Sequence, residues 1–130
     1  MSTSTLIILL SIGFIGGMLS GVVGIGGGIV IVPALVFLLG LSQHEAQGTS
    51  LFVLSMPVVS LALWNYWKNS YVNWTYGLVI AATFLIGGFV GSKLALKLSP
   101  GMLRLLFGMI MAYVAIQLVT SGIKMVNHEG

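Results

Sequence analysis

A chain of 130 residues that is 58% hydrophobic and only 5% charged cannot cover a water-facing surface, because soluble domains carry roughly a quarter charged residues. It reads as an integral membrane protein. The net charge of +3 rests on five scattered basic residues, Lys68, Lys93, Lys97, Arg104 and Lys124, against Glu45 and Glu129. That spread suits interfacial anchoring and excludes a nucleic-acid-binding face, and the absence of cysteine excludes disulfides and thiolate metal sites.

The first 43 residues contain no Asp, Glu, Lys or Arg, and Gly24-Ile25-Gly26-Gly27-Gly28 divides this apolar run, with Pro33 five positions later. Segment one, 6–23, rises about 27 Å as a helix. Gly13, Gly17 and Gly21 recur at i, i+4, i+8 with Gly16, Ser20 and Gly24 beside them, a small-residue face that admits a close neighbour. No positive n-region or cleavage signal precedes it, so it is expected to be retained as structure. Segment two, 29–39, would rise only about 16 Å, too short to cross alone. The two read as a broken helical hairpin over 6–40, with Gly40 as its C-cap.

Ser42-Gln43-His44-Glu45 is a short polar break in which Ser42 and Glu45 have capping-box spacing. Segment three is expected over 46–67, with Pro57 kinking or unwinding it. Trp64, Tyr66, Trp67, Tyr71, Trp74 and Tyr76 gather around one polar turn, the mark of a membrane interface. Segment four, 72–96, carries Gly87, Gly91 and Ala95 at helical spacing, and Ser99-Pro100-Gly101 opens segment five, 102–125, before a polar tail. The fold class is therefore all-α: one polytopic membrane module over 1–130, a hairpin with a glycine-rich turn followed by three transmembrane helices. Lys93, Lys97 and Arg104 share one face of the membrane and Lys68 and Lys124 the other. Three basic residues against two is a near balance that permits both orientations, so an antiparallel homodimer is expected, two copies reproducing the inverted repeat of secondary transporters.

The glycine turn admits two readings. Gly24, Gly26, Gly27 and Gly28 simply allow a tight hairpin, or they bring the free amides at Gly28 and Ile29 to a buried anion. It is not a nucleotide loop, because no Lys-Ser/Thr follows. Gly48, Thr49 and Ser50 offer hydroxyls that either line a path or bond back to their own helix. Pro33 and Pro57 are hinge candidates. His44 and Glu45 form the one adjacent titratable pair, read either as a coupling site or as a solvated turn. No catalytic set, cofactor motif or HExxH-type metal motif is present, which points away from an enzyme.

These residues also resemble a known family. GMLSGVVGIGGGIVIVP at 17–33, HEAQGTS at 44–50 and the stretch from Tyr71 to Met111, with its Leu-x-Pro-x-x-Leu-Arg-x-x-Phe-Gly element, are similar to the TauE/SafE family, also called the 4-toluene sulfonate uptake permease family. The resemblance implies a secondary transporter of small sulfur-containing anions such as sulfonates or sulfite in the cell membrane. By position it marks Gly21, Gly24, Gly26, Gly27, Gly28 and Pro33, then Gly48, Thr49 and Ser50. Many members are about twice this length and hold two related halves. A half-length chain implies a homodimer, or pairing with a second half-length subunit; the runner-up reading is a non-transporting subunit that scaffolds or regulates another transporter.

Overall fold

The computed structural model describes residues 1–130. Six helices follow one another: α1 Thr3–Val23, α2 Gly28–Leu39, α3 Gln43–Ser55, α4 Ser60–Lys68, α5 Trp74–Lys97 and α6 Pro100–Glu129. Each boundary has a local chemical cause. Ser2 caps α1 by accepting from the Thr5 N–H, Asn73 caps α5 through Tyr76, and Ser99 with Pro100 opens α6. The capping box opens α3: Ser42 Oγ accepts from the Glu45 N–H while the Glu45 carboxylate accepts from the Ser42 N–H at 2.9 Å. Gly24 and Gly40 end α1 and α2 in the left-handed conformation, at φ +78° and +70°, a region that costs L side chains roughly 1–2 kcal/mol.

α1, α5 and α6 are each long and apolar enough to cross a membrane, and α3 with α4 meets that test only as a pair, bent by 51° at the break between them. The protein is an all-α polytopic membrane protein. Two expected boundaries change. Pro57 unwinds segment three, one of its two expected effects: α3 starts at Gln43 and stops at Ser55, and residues 56–59 form an open break before α4. The Val53 carbonyl, four residues before the proline, is not left free, because it accepts from the Met56 N–H at 3.2 Å. Segment five does not give way to a polar tail at 125; α6 continues to Glu129, because 126–129 contain no helix breaker and the helix satisfies their backbone groups internally. Pro33, by contrast, sits inside an uninterrupted α2.

The core lies almost wholly in the first three helices. Ile12 of α1, Ile31, Val32, Leu35 and Val36 of α2, and Ala46 of α3 form one buried cluster. Gly16 makes it possible: a Cβ there would stand 3.3 Å from Ile31 Cγ1, so α1 and α2 approach at the distance that glycine allows. α4 and α5 bury no residue, and α6 buries Leu103. α4 is tied to α1 by the Tyr66 hydroxyl, which donates to the Gly21 carbonyl at 2.8 Å. Around it Trp64, Trp67 and Trp74 meet edge to face, with centroids 5.4 Å apart, and Lys68 lies 5.3 Å from the Trp64 ring, as expected of an aromatic belt at a membrane interface.

Candidate functional site

α2 starts partway along the molecule. α1 continues past it toward α4, and the turn after Gly24 doubles back so that Gly27 rests against Gly16, whose carbonyl would lie 3.3 Å from a Cβ at Gly27. Gly27, at φ +76°, is the N-cap and supplies no side-chain acceptor. Its carbonyl takes the Val30 and Ile31 N–H groups, whereas those of Gly28 and Ile29 have no backbone partner. These two donors are the first of the helix, where the positive end of the macrodipole adds to their own polarity.

Facing that end is a cavity of about 600 Å³. Gly28, Ile29 and Val32 form one wall, Gln47, Ser50 and Leu54 of α3 a second, Gly88, Gly91 and Ser92 of α5 a third, and Phe107, Ile110 and Val114 of α6 the fourth. Ser50 is only 3% exposed, and the Gly28 backbone approaches so near that a Cβ there would be 3.3 Å from Ser50 Oγ. Ser55 and Ser92 donate back to Phe52 and Phe89 carbonyls of their own helices, but Ser50 makes no such bond. No acidic or basic side chain lines the cavity. Apart from Ser92, whose hydroxyl is tied to its own helix, the polar lining is two amides, one hydroxyl and the Gln47 amide in an otherwise apolar space. Such a lining can hold anionic oxygens through donors alone, without the permanent salt bridge that would make release slow.

The predicted residues do not all meet. Gly28, Ile29 and Ser50 share this cavity. Gly26 and Gly27 line a smaller one of about 250 Å³ between α1, α3 and α4, and Gly24 lines a third beside Tyr66 and Asn73. Gly48 and Thr49 are exposed on another face of α3 and line none of these cavities. Glu45 is exposed and held by its cap, while His44 Nε2 lies 3.2 Å from the Ala95 carbonyl of α5. Ala95 also lines the large cavity, so this bond ties α3 to α5 at the cavity's edge. Gln47 and Ser92 were not singled out in the sequence. Gln47 was findable as an uncharged polar residue inside a predicted membrane segment; Ser92 carries a hydroxyl that its own helix already binds.

The helices thus bring a helix terminus and a buried hydroxyl to one open cavity of an all-α polytopic membrane protein. The chain belongs to the family described as "Sulfite exporter TauE/SafE", whose profile matches residues 1–121. It is 36% identical over 111 residues to a "Probable membrane transporter protein" of Xylella fastidiosa (strain Temecula1), covering 84% of this chain and 42% of that one. A protein of the same description from Methanocaldococcus jannaschii is 30% identical over 120 residues, 88% of this chain and 45% of the other. "Probable membrane transporter protein YunE" of Bacillus subtilis is 27% identical over 114 residues, 88% and 41%. The chain thus spans less than half the length of these curated relatives. No solved structure matches it significantly.

Proposed function

We propose that this chain is a secondary carrier of a small sulfur-containing anion, sulfite or a sulfonate, working as a homodimer in the cell membrane, where it is a multi-pass protein. The observation that carries the reading is the pair of unpartnered N–H groups at Gly28 and Ile29, set beside the untied Ser50 hydroxyl and opening on the cavity. The family description supports the anion. Coverage of less than half of each relative supports a second copy, or a second half-length subunit, completing the walls. The near balance of basic residues on the two faces favours the antiparallel arrangement. The break around Pro57 is the hinge of α3 and α4, and Pro33 inside α2 is the second hinge. His44, beside Glu45, is the titratable group through which protons would couple.

Purified protein reconstituted alone in liposomes tests this reading. Uptake of sulfite or a small sulfonate without any partner is expected. Uptake that appears only when a second short chain is added replaces the homodimer by a heterodimer, and no uptake in either case leaves the scaffold reading. Accessibility of a C-terminal tag from both faces tests the antiparallel form, which strictly one-sided labelling removes. In His44→Ala, transport that keeps the wild-type pH profile dismisses the coupling role.

A further inference from the structure

Gln43, Gln47 and Ser50 follow one another along α3 at i, i+4 and i+7, which places them on one face, spanning about 10 Å. All three carry hydrogen-bond donors. Gln43 is 2% exposed and Ser50 3%; Gln47 is half-buried and lines the cavity together with Ser50, one turn inward of Gln43. At the outer end Gln43 Oε1 accepts from Arg104 Nε at 3.4 Å, and Gln43 Nε2, wholly enclosed, has no partner. At the inner end Ser50 Oγ stands against Gly28. A buried donor without an acceptor is costly, and its presence calls for something that uses it.

The charges agree in sign. Arg104 is exposed, with its guanidinium 5.5 Å from the Phe37 ring, and Lys93 and Lys97 lie in the last turns of α5 at the same end of the bundle. The carboxylate of Glu45 is exposed and occupied in its cap, so no acidic group opposes an anion along this line. Resting on the anion-carrier reading above, we infer that Gln43, Gln47 and Ser50 form a ladder of donors along which the anion passes between the Arg104 end of the protein and the amide end of α2. Gln47 is the middle rung, a binding position half a cavity away from the glycine turn. It takes an anionic oxygen through its side-chain N–H groups, one helical turn before Ser50 does.

The natural lack of cysteine allows a direct test in proteoliposomes. Gln47→Cys is treated with the sulfonatoethyl and the trimethylammonioethyl methanethiosulfonate reagents, each rate divided by that reagent's rate with a free thiol. The normalised anionic rate is expected to exceed the cationic one by about tenfold, a usual size for electrostatic focusing in a cleft. Adding Arg104→Gln should lower the anionic rate about threefold. Gln43→Cys should show the same preference and Thr49→Cys, on the outward face, none; because Gln43 is enclosed, Gln47→Cys alone decides if the Gln43 variant does not fold. Equal normalised rates at position 47, no reaction with either reagent, or indifference to Arg104→Gln overturns the ladder. Wild-type uptake is scored separately: anion-selective labelling without uptake keeps the ladder and removes the carrier, and uptake without selectivity does the reverse.

Discussion

The hairpin and α3 form one kind of wall, and α5 another. On the first side, three glycines are places of contact: a Cβ at Gly16, Gly27 or Gly28 would stand 3.3 Å from Ile31, from the Gly16 carbonyl or from Ser50, whereas Gly13, Gly17 and Gly48 have nothing within 4 Å. On the second, Gly87, Gly88 and Gly91 have nothing within 4 Å of the same point, although Gly88 and Gly91 line the cavity. Both regions carry the small-residue spacing of close helix packing, yet only the first meets a neighbour at any of its glycines. A residue pattern that permits approach does not supply the neighbour. The donors of the cavity therefore sit on the packed side, Gly28, Ile29, Gln47 and Ser50, and the loosely held side contributes mostly shape.

Changes on the packed side should break function most. Gly27→Val forces a β-branched residue to φ +76° and its Cβ toward the Gly16 backbone carbonyl, a strain of about 2 kcal/mol or more. Uptake in liposomes should fall on the order of thirtyfold or further, and full activity would remove the glycine turn from the site. Ser50→Ala deletes one donor; the KM for the anion should rise about tenfold at unchanged maximal rate, the worth of a hydrogen bond to a charged group. Gly16→Ala presses a methyl group on Ile31 and should cost about 1 kcal/mol, read as a lower Tm in detergent. Gly91→Ala meets open space and should change stability by no more than about 0.5 kcal/mol. A loss as large as that of Gly16→Ala would mean that α5 is already closed against another element in the assembled protein, and the contrast between the walls would disappear.

Much of this was legible from local chemistry. The break at Gly24–Gly28, the short second helix, the Ser42–Glu45 box, Gly40 and Pro100 each act within one or two turns, and each appears where its residue type requires. The site was legible in part. Gly48, Thr49 and Ser50 are consecutive, but each step around a helix turns about 100°, so the triplet spans about 200° and only Ser50 reaches the cavity. Which one faces α2 is decided by the packing of Ala46 and Gln43 against the other helices, information the triplet does not hold. The uncharged ladder was hidden for a related reason: Gln43 had been assigned to a polar turn and Gln47 to an apolar helix, and only the continuous α3 puts them on one line. The Pro57 break exceeds a kink because the chain between Ser55 and Ser60 also changes direction.

On the proposed carrier reading, with Leu39 set at the membrane boundary, the length of α2 has an electrical consequence. From Leu39 back to Gly28 the helix is about 18 Å long, against a hydrocarbon thickness of about 30 Å, so a solute seated at its first amides has already moved through about half of the transmembrane voltage. One negative charge there exchanges about 1.2 kcal/mol with the field for every 100 mV. Affinity measured from one face should consequently shift about sevenfold per 100 mV, and from the other face in the opposite sense. Polarising the vesicles with a potassium gradient and valinomycin would read that displacement directly.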